Sequence, residues 1–335
     1  MQLRILSESD VRSVLSMADA IDIQARAFAM LAEGQSVEGL RSFARSDEPP
    51  GITIFNPSFL KDGGGYGLKV VSDFFDNGDR GVPRMSALVA LFDGTTGQPR
   101  TVMEGGYLTD VRTGAGTALA ARYLARKESR VVAVFGAGRV ARNQLEALVV
   151  EHAIAHVVVA TRSKSRGEAF VERMRAAGGG VPEDIRLVDD RAEAVAEADI
   201  VVCCTTSREP VFPGAALRSG AFVAGAGANL PEMREVDTET IRRAASHVID
   251  SRHDCLKNAG DLLIAAQEGA LDLNSVAEIA DLVAGRAAGR QSDAEITFYK
   301  SMGVPIQDLV TAQFVEERAA DQGIGTLIDI GGDQD

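Results

Sequence analysis

The sequence predicts an α/β protein of two domains, and three observations support this fold class. The chain has 335 residues, more than a single hydrophobic core usually holds. From residue 130 onward, continuous apolar strands alternate with helical segments, as in a parallel sheet. A glycine-rich turn at 136–141 directly follows the first of these strands, as in a Rossmann-type doubly wound sheet. We therefore predict a Rossmann domain at 129–305. A second α+β domain combines 1–128 with 306–335, the segment that contains the C-terminal helix.

The N-terminal segment mixes one helical signal with several strands. Polar residues at Ser7–Asp10 precede an apolar series that begins at Val11, which predicts an opening helix. Strand-like stretches follow at 51–55, 67–71 and 86–92. Turn residues at 93–100 lead into Thr101–Glu104, and they predict that 88–92 and 101–104 pair as an antiparallel hairpin.

The remaining segment carries the alternating pattern. Apolar strands are predicted at 131–135, 156–160, 185–188, 200–203, 221–224 and 247–250, with helices near 139–152 and 165–177. The stretch 308–318 is amphipathic and predicts one final helix, which Gly323 and Gly325 follow. We expect this helix to pack against the first domain.

Composition excludes several classes of function. The chain holds 35 Lys+Arg against 48 Asp+Glu, a formal net charge of −13, and such a surface repels nucleic acid and anionic lipid. No apolar run reaches the roughly 18 residues of a membrane helix, so we expect a soluble, cytoplasmic protein. Three cysteines, two of them adjacent, form neither a disulfide framework nor a metal site, which fits a reducing compartment. Isolated histidines such as His152 and His156 do not indicate a metal site either.

The glycine-rich turn predicts a dinucleotide site. It reads Gly136, Ala137, Gly138, Arg139, Val140 and Ala141, with the G-x-G-x-x-A spacing. Gly136 permits the tight turn, Gly138 admits the pyrophosphate close to the backbone, and the following helix offers free N–H groups at its N-terminus. A glycine turn that binds no ligand is the alternative interpretation.

The end of the second Rossmann strand indicates which dinucleotide is bound. A carboxylate there would accept the ribose 2′-OH of NAD, but the sequence offers Thr161, Arg162 and Ser163 instead, with Lys164 and Arg166 nearby. A guanidinium beside a hydroxyl suits a 2′-phosphate. We therefore expect NADP(H) to be preferred and NAD(H) to be the second choice. The alternative is a solvated basic helix start.

Segments outside this motif resemble the ornithine cyclodeaminase/mu-crystallin family. They are Gly67–Val70, Gly106–Ala115 with its T-D-x-R-T motif, and Phe298–Asp308, and they occur in the family's order over about residues 10–325. The resemblance implies a homodimer built through the non-nucleotide domain, a cleft between the domains, and an amino acid, imino acid or keto acid as substrate. It also implies that 1–128 with 306–335 binds substrate and forms the dimer.

The resemblance also implies the roles of individual residues. Arg41, Lys69 and Arg112 correspond to cations that hold the substrate carboxylate, and Lys69 is the expected proton carrier and catalytic residue. Without the resemblance, Lys69 would be interpreted as an exposed strand lysine. Positions expected near the cofactor, beyond the glycine-rich turn and the basic segment, are Arg112, Thr113, Thr205, Thr206 and Ser301.

One departure from the family pattern bears on the reaction. Cyclodeaminases of this family carry an aspartate in a glycine-rich segment where this chain has Asn229. We expect Asn229 to contact the substrate. An asparagine cannot accept a proton as a carboxylate can. The sequence thus favours an NADP(H)-dependent oxidoreductase that transfers a hydride to or from the α-carbon of a small amino acid, imino acid or cyclic ketimine. An ammonia lyase of the ornithine cyclodeaminase type with recycled NAD, and a nucleotide-binding protein without turnover, are the alternatives.

Overall fold

The computed structural model describes residues 1–331. Its strands are β1 (Gln2–Leu6), β2 (Ser36–Glu38), β3 (Ser42–Asp47), β4 (Pro50–Leu60), β5 (Tyr66–Phe74), β6 (Met85–Phe92), β7 (Pro99–Glu104), β8 (Val131–Phe135), β9 (His156–Ala160), β10 (Ile185–Leu187), β11 (Ile200–Cys203), β12 (Phe222–Gly225), β13 (Ala244–Ile249), β14 (Ala277–Glu278), β15 (Ile296–Lys300) and β16 (Thr326–Asp329). Its helices are α1 (Glu8–Val14), α2 (Met17–Ala32), α3 (Gly106–Leu124), α4 (Arg139–Glu151), α5 (Lys164–Ala177), α6 (Arg191–Glu197), α7 (Thr238–Arg243), α8 (Arg252–Asn258), α9 (Gly260–Gln267), α10 (Ile279–Val283) and α11 (Pro305–Asp321).

The chain divides into two compact units. Unit 1 contains Met1–Arg112 and the segment that starts at Val304, and unit 2 contains Thr113–Gly303. The first boundary between the units therefore falls between Arg112 and Thr113, inside α3. The sequence predicted a domain boundary between residues 128 and 129. Residues 332–335 of the predicted second domain lie outside the described residues. No helix within 1–331 combines the length and apolar composition that a membrane crossing requires.

Unit 1 is built on a mixed sheet in the order β16-β1-β7-β6-β5-β4-β2, with β3 paired to β4. The predicted hairpin is confirmed, because β6 and β7 are antiparallel with Leu88 opposite Glu104 and Leu91 opposite Thr101. The predicted stretches 51–55 and 67–71 lie within β4 and β5, which also pair antiparallel. The last strand, β16, was not predicted and pairs with β1.

The opening helix of the sequence prediction is two helices. Each begins with a capping box, in which Ser7 pairs with Asp10 and Ser16 pairs with Asp19. Because a serine and an acidic residue three positions later satisfy the free N–H groups of a helix start, the second box starts α2 anew at Met17. Helix α2 then packs against α11 within unit 1.

Helix α11 is longer than the predicted 308–318, since it begins at Pro305, and proline is favoured in the first helical turn. It packs on β4, β5 and β6. The contact with α2 includes a buried polar chain in which Gln24 donates to Thr311 at 3.0 Å and Gln307 donates to Gln24 at 3.0 Å. These bonds fix the first turns of α11, which contain Gln307 and Asp308.

Unit 2 is a parallel sheet in the order β10-β9-β8-β11-β12-β15-β13-β14. The predicted strands and helices are confirmed to within a few residues, and β8 and β9 match the predicted bounds. Val132, Val134, Val158, Val201 and Phe298 are fully buried, as expected for strands covered on both faces. From β8 the chain adds β9 and β10 on one side of the sheet and then β11 and β12 on the other side, so the strand order switches direction between β8 and β11. Ligands of such sheets bind at the carboxyl ends of the strands beside this switch.

Candidate active site

Lys69 is buried in unit 1 and paired with a carboxylate. It lies on β5, where alternate residues face inward, and its side chain is 5% exposed. Its Nζ lies 2.6 Å from Oδ2 of Asp308, a residue in the first turn of α11. The interpretation of Lys69 as an exposed strand lysine is therefore wrong.

Arg112 joins the same carboxylate. It lies on α3, and its Nε donates to Oδ1 of Asp308 at 2.9 Å while its Nη1 donates to Gln307 Oε1 at 3.4 Å. The start of α3 is held by Glu104, which accepts from the N–H groups of Gly106 and Tyr107. Asp308 thus bridges two buried cations.

Arg41 completes what we call the cation cluster, namely Arg41, Lys69, Arg112 and Asp308. Its Nε donates to Asn56 Oδ1 at 2.8 Å, and Asn56 is the cross-strand neighbour of Lys69. The cluster therefore brings three cations near one another in a chain of net charge −13. Such a cluster suits a small anion.

The titration of Lys69 is displaced toward neutral pH. Burial and the neighbouring charge of Arg112 lower the pKa of Lys69 to about 8, although Asp308 acts in the opposite direction. For Asp308, burial alone would raise the pKa, but the charges of Arg112 and Lys69 outweigh it and hold the pKa below its ordinary value. A lysine with a pKa near 8 can both donate and accept a proton close to physiological pH.

The glycine-rich turn of unit 2 has the geometry of a nucleotide cradle. Gly136 follows β8 with φ +110°, and a Cβ there would lie 2.7 Å from the carbonyl oxygen of Cys204. Gly138 caps α4, and a Cβ there would meet no atom within 4 Å. Gly136 is therefore required by backbone conformation and by a close contact, whereas the space at Gly138 is open to a ligand.

The cations of the basic segment after β9 are exposed, and Arg166 lines a pocket together with arginines from outside the segment. Thr161 and Arg162 follow the strand, and Ser163 caps α5 by accepting from the N–H of Arg166. A pocket of about 190 Å³ lies against Ala137, Gly138, Ala169 and Phe170, and its cations are Arg139, Arg142, Arg166 and Arg173. Arg162 is not among the residues that line this pocket. Sequence reasoning included Arg139 and Arg166 but missed Arg142 and Arg173.

Three buried ionisable residues, which we call the Glu235 cluster, support the loops after β11 and β12. They are Glu235, Asp261 and Lys300, each 0% exposed. Glu235 Oε1 accepts from the Thr205 N–H at 2.6 Å and from its hydroxyl at 2.9 Å. Glu235 Oε2 accepts from the N–H groups of Gly227 and Ala228, both at 2.9 Å.

Asp261 and Lys300 complete the Glu235 cluster. Lys300 Nζ lies 2.7 Å from Asp261 Oδ2 and 4.0 Å from Glu235 Oε2, and Asp261 accepts from the Glu235 N–H at 2.6 Å. Burial raises the pKa of Glu235 above its ordinary value, against the opposing charge of Lys300. Burial by itself would lower the pKa of Lys300, but Asp261 and Glu235 outweigh it and raise that pKa. Sequence reasoning assigned no role to these residues, because nothing in local periodicity joins positions so far apart.

Three other predicted cofactor residues, Thr113, Thr206 and Ser301, and the predicted substrate residue Asn229 lie in unit 2. The Thr113 carbonyl accepts from Gln144, and a Cβ at the next residue, Gly114, would lie 2.3 Å from the Asn143 carbonyl oxygen. Thr206 is exposed in the loop after β11, and Asn229 is exposed in the loop after β12. Ser301 follows β15 and donates to Asp250 at 3.3 Å.

The described residues also bear on metal binding and on thiol chemistry. Within residues 1–331 no group of three or more His, Cys, Asp and Glu side chains could hold a metal ion. Cys203 is fully buried at the end of β11, and burial raises its thiol pKa well above the ordinary value, as it does for Cys204. Thiols that stay protonated are poor nucleophiles.

Comparison with known proteins assigns the chain to a family. The family model for the ornithine cyclodeaminase/mu-crystallin family matches residues 1–323. A Δ1-pyrroline-2-carboxylate reductase of Bacillus cereus is 30% identical over 326 residues, covering 97% of this chain and 99% of the relative.

Two solved structures agree with this assignment. The Thermococcus litoralis Δ1-pyrroline-2-carboxylate reductase in complex with NADH and L-proline has a TM-score of 0.90 and 36% identity, with 96% of this chain and 99% of that chain covered. An archaeal alanine dehydrogenase dimer with bound NAD has a TM-score of 0.90 and 32% identity, with 99% and 100% covered. The chain belongs to the ornithine cyclodeaminase/mu-crystallin family.

Proposed function

We propose that the chain is a nicotinamide-dependent oxidoreductase that transfers a hydride to or from the α-carbon of a small imino or amino acid. The observation that carries this proposal is the cation cluster, in which Lys69 and Arg112 share the Asp308 carboxylate and the charge of Arg41 acts on the buried Lys69. Its neighbouring cations attract a carboxylate-bearing substrate, and the pKa of its lysine lies where proton transfer to nitrogen is needed. The reductases and the alanine dehydrogenase among the relatives support the same reaction class.

The arginines of the cluster bind and orient the substrate. A guanidinium carries five N–H donors in a planar fork, so Arg112 can hold Asp308, Gln307 and a substrate carboxylate oxygen together. Asp308 fixes the direction of the Arg112 side chain before substrate arrives. A preoriented cation of this kind lowers the entropic cost of aligning the α-carbon for hydride transfer.

Lys69 moves the proton. In the reductive direction its ammonium donates to the imine nitrogen, and in the oxidative direction its neutral amine accepts a proton from the substrate ammonium. A pKa of about 8 makes both forms accessible near neutral pH. We assign Lys69 as the catalytic residue, with Arg41, Arg112 and Asn229 as substrate-binding residues.

The residues of unit 2 fit a dinucleotide. The open space at Gly138, the tight turn at Gly136 and the start of α4, which no side chain caps, form a cradle for a pyrophosphate. The nicotinamide, when bound, supplies or accepts the hydride. We propose that Thr113, residues 136–140, Thr205, Thr206 and Ser301 hold this cofactor, with Arg112 beside it.

We propose that NADP(H) is preferred, because cations and hydroxyls stand where NAD enzymes carry an acid. Arg162→Ala should weaken NADPH binding by about ten- to a hundredfold and NADH binding much less, since a charge-assisted contact to a phosphate is lost. Arg166→Ala, which changes the pocket lining, should act in the same direction. Fluorescence titration of both nucleotides measures these effects.

A matched control for this titration is Arg242→Ala. Arg242 is an exposed arginine on α7, which leads into the amino end of β13, whereas the cradle lies at the carboxyl ends of the strands. Arg242→Ala should leave the affinities for NADPH and for NADH unchanged. Equal affinity of the unmodified protein for NADPH and NADH would show that the basic segment is only a solvated helix start.

We propose that unit 1 also forms a homodimer. Apolar side chains are exposed on its sheet, among them the cross-strand neighbours Val37 and Phe59. Exposed apolar groups that share a surface mark interaction sites, and a dimer is the described form of the archaeal alanine dehydrogenase. The cytoplasmic location expected from cysteine usage stays a prediction.

The proposed reaction is tested by absorbance at 340 nm. Δ1-Pyrroline-2-carboxylate, and pyruvate with ammonia or methylamine, are assayed with NADPH and with NADH. We expect nucleotide oxidation with at least one of these imines. Release of ammonia and proline from ornithine without net absorbance change would instead establish the cyclodeaminase alternative, which Asn229 disfavours because it lacks a carboxylate.

A further inference from the structure

The Glu235 cluster has no role in the chemistry described above, although it is the most deeply buried group of charges in unit 2. It contains two carboxylates and one ammonium, all 0% exposed. Burying charges is costly unless they are paired and hydrogen-bonded, and a pure packing role would be served as well by apolar side chains. A functional explanation therefore has to account for the charge itself.

Glu235 joins two loops at the carboxyl edge of the sheet. The loop after β11 contributes Thr205, and the loop after β12 contributes Gly227 and Ala228. The loops touch so closely that a Cβ at Gly227 would lie 2.2 Å from the Thr205 backbone nitrogen. Position and orientation of Thr205 therefore depend on the Glu235 carboxylate.

The contacts show which form of Glu235 is present. Both of its oxygens accept hydrogen bonds, two donors on each, which is the pattern of an ionised carboxylate. The adjacent thiols of Cys203 and Cys204 stay neutral, because burial raises the pKa of each. With Lys300 as the ion-pair partner of both carboxylates, the cluster keeps one excess negative charge.

We propose that Glu235 is a positioning residue for the nicotinamide end of the cofactor, and that the excess negative charge of its cluster favours the oxidised nucleotide. This inference rests on the proposed function, in which Thr205 holds the nicotinamide-side ribose. The oxidised ring carries a positive charge that the reduced ring lacks, while the remainder of the nucleotide is the same. A buried negative charge therefore stabilises one redox form relative to the other.

The test compares dissociation constants in the full-length protein. Glu235→Gln removes the charge and nearly keeps the shape, and both redox forms of the preferred nucleotide are titrated by calorimetry. We expect the ratio of the dissociation constant of the oxidised form to that of the reduced form to rise by about three- to tenfold. A scaffold without electrostatic effect would weaken both forms equally, so an unchanged ratio in a folded variant overturns the inference.

Glu151→Gln is the matched control. Glu151 ends α4, at the opposite end from the glycine-rich turn, and pairs with Arg122 on the surface. The same substitution there should leave the ratio unchanged.

The unmodified protein provides a measurement that does not depend on folding of a variant. If it binds the reduced form more than about tenfold tighter than the oxidised form, the inference is also overturned. Failure of the proposed function is a separate outcome, because it is measured by the absorbance assay at 340 nm and not by the ratio of dissociation constants.

Discussion

Replacing Lys69 by methionine is expected to lower kcat for imine reduction by at least about a hundredfold. General acid–base catalysis by a positioned group contributes roughly 10²–10⁴ in rate, and methionine fills a similar volume without a proton to transfer. Nucleotide affinity should change by no more than a few-fold, because the cradle belongs to unit 2. Steady-state kinetics and nucleotide titration separate the two effects.

The pH dependence provides a second readout for Lys69. With a pKa of about 8, the ammonium is present below that pH and lost above it. The kcat/KM for imine reduction should therefore fall as pH rises through about 8, and for amine oxidation it should rise. Residual activity of Lys69→Met should lack this inflection.

Lys61→Met serves as the control for Lys69→Met. Lys61 is an exposed lysine of unit 1 whose Nζ donates to the Gly34 carbonyl oxygen. Its removal should leave kcat and the inflection in place. A Lys69→Met protein that keeps more than about a tenth of the activity, a difference of less than 1.4 kcal/mol in barrier, would refute the proton-transfer role.

The strands and turns of unit 2 could be predicted because their signals are local. The run Val131–Phe135 is continuously apolar and ends at Gly136, whose φ of +110° only glycine adopts readily. Strand β15 was not predicted, although its residues Ile296–Lys300 are mostly β-branched and aromatic, because these five residues overlap the family motif at Phe298–Asp308.

The partners of the site residues could not be predicted from local patterns. Lys69 and Arg112 were identified through the family motif, but Asp308 is 196 residues from Arg112 along the chain and meets it only after folding. The same holds for Glu235 and Asp261, which are 26 residues apart with α7, β13 and α8 between them. Periodicity describes which face of an element is buried, and it carries no information about which distant charge lies opposite.

The break between α1 and α2 was not predicted, although its signal is local. Ser16 and Asp19 form the same pattern as Ser7 and Asp10, and both are visible in the sequence. The apolar series was interpreted as one helix because it continues past Leu15. Capping residues therefore predict the break better than hydrophobic spacing does, since they report where N–H groups need partners.

Replacing Asp308 by asparagine is expected to destabilise unit 1 by about 3–5 kcal/mol, the usual cost of leaving buried charges without their partner. Asp308 lies 2.6 Å from the Lys69 ammonium and 2.9 Å from Arg112 Nε, and asparagine cannot neutralise either. Denaturant unfolding at pH 7 measures this loss. Glu317→Gln, an exposed position on the same helix, should change stability by less than about 0.5 kcal/mol.

The stability difference between the unmodified protein and Asp308→Asn should depend on pH in a defined direction. The pKa of Asp308 is lower in the folded protein than its ordinary value of 3.8, so its stabilising contribution is fully present above that value. As pH falls through the folded pKa, the carboxylate is protonated and the contribution is lost. The two proteins should therefore converge in stability at strongly acidic pH and differ most at neutral pH.

Activity of Asp308→Asn distinguishes a chemical role from a structural one. In the unmodified protein Asp308 raises the pKa of Lys69 against burial and the charge of Arg112, so its removal should move that pKa below about 8. The inflection in kcat/KM for imine reduction should then shift to lower pH in the folded variant. An unchanged inflection together with unchanged stability would mean that Asp308 does not hold the cation cluster, and a shifted inflection would show that this carboxylate sets the proton affinity of Lys69.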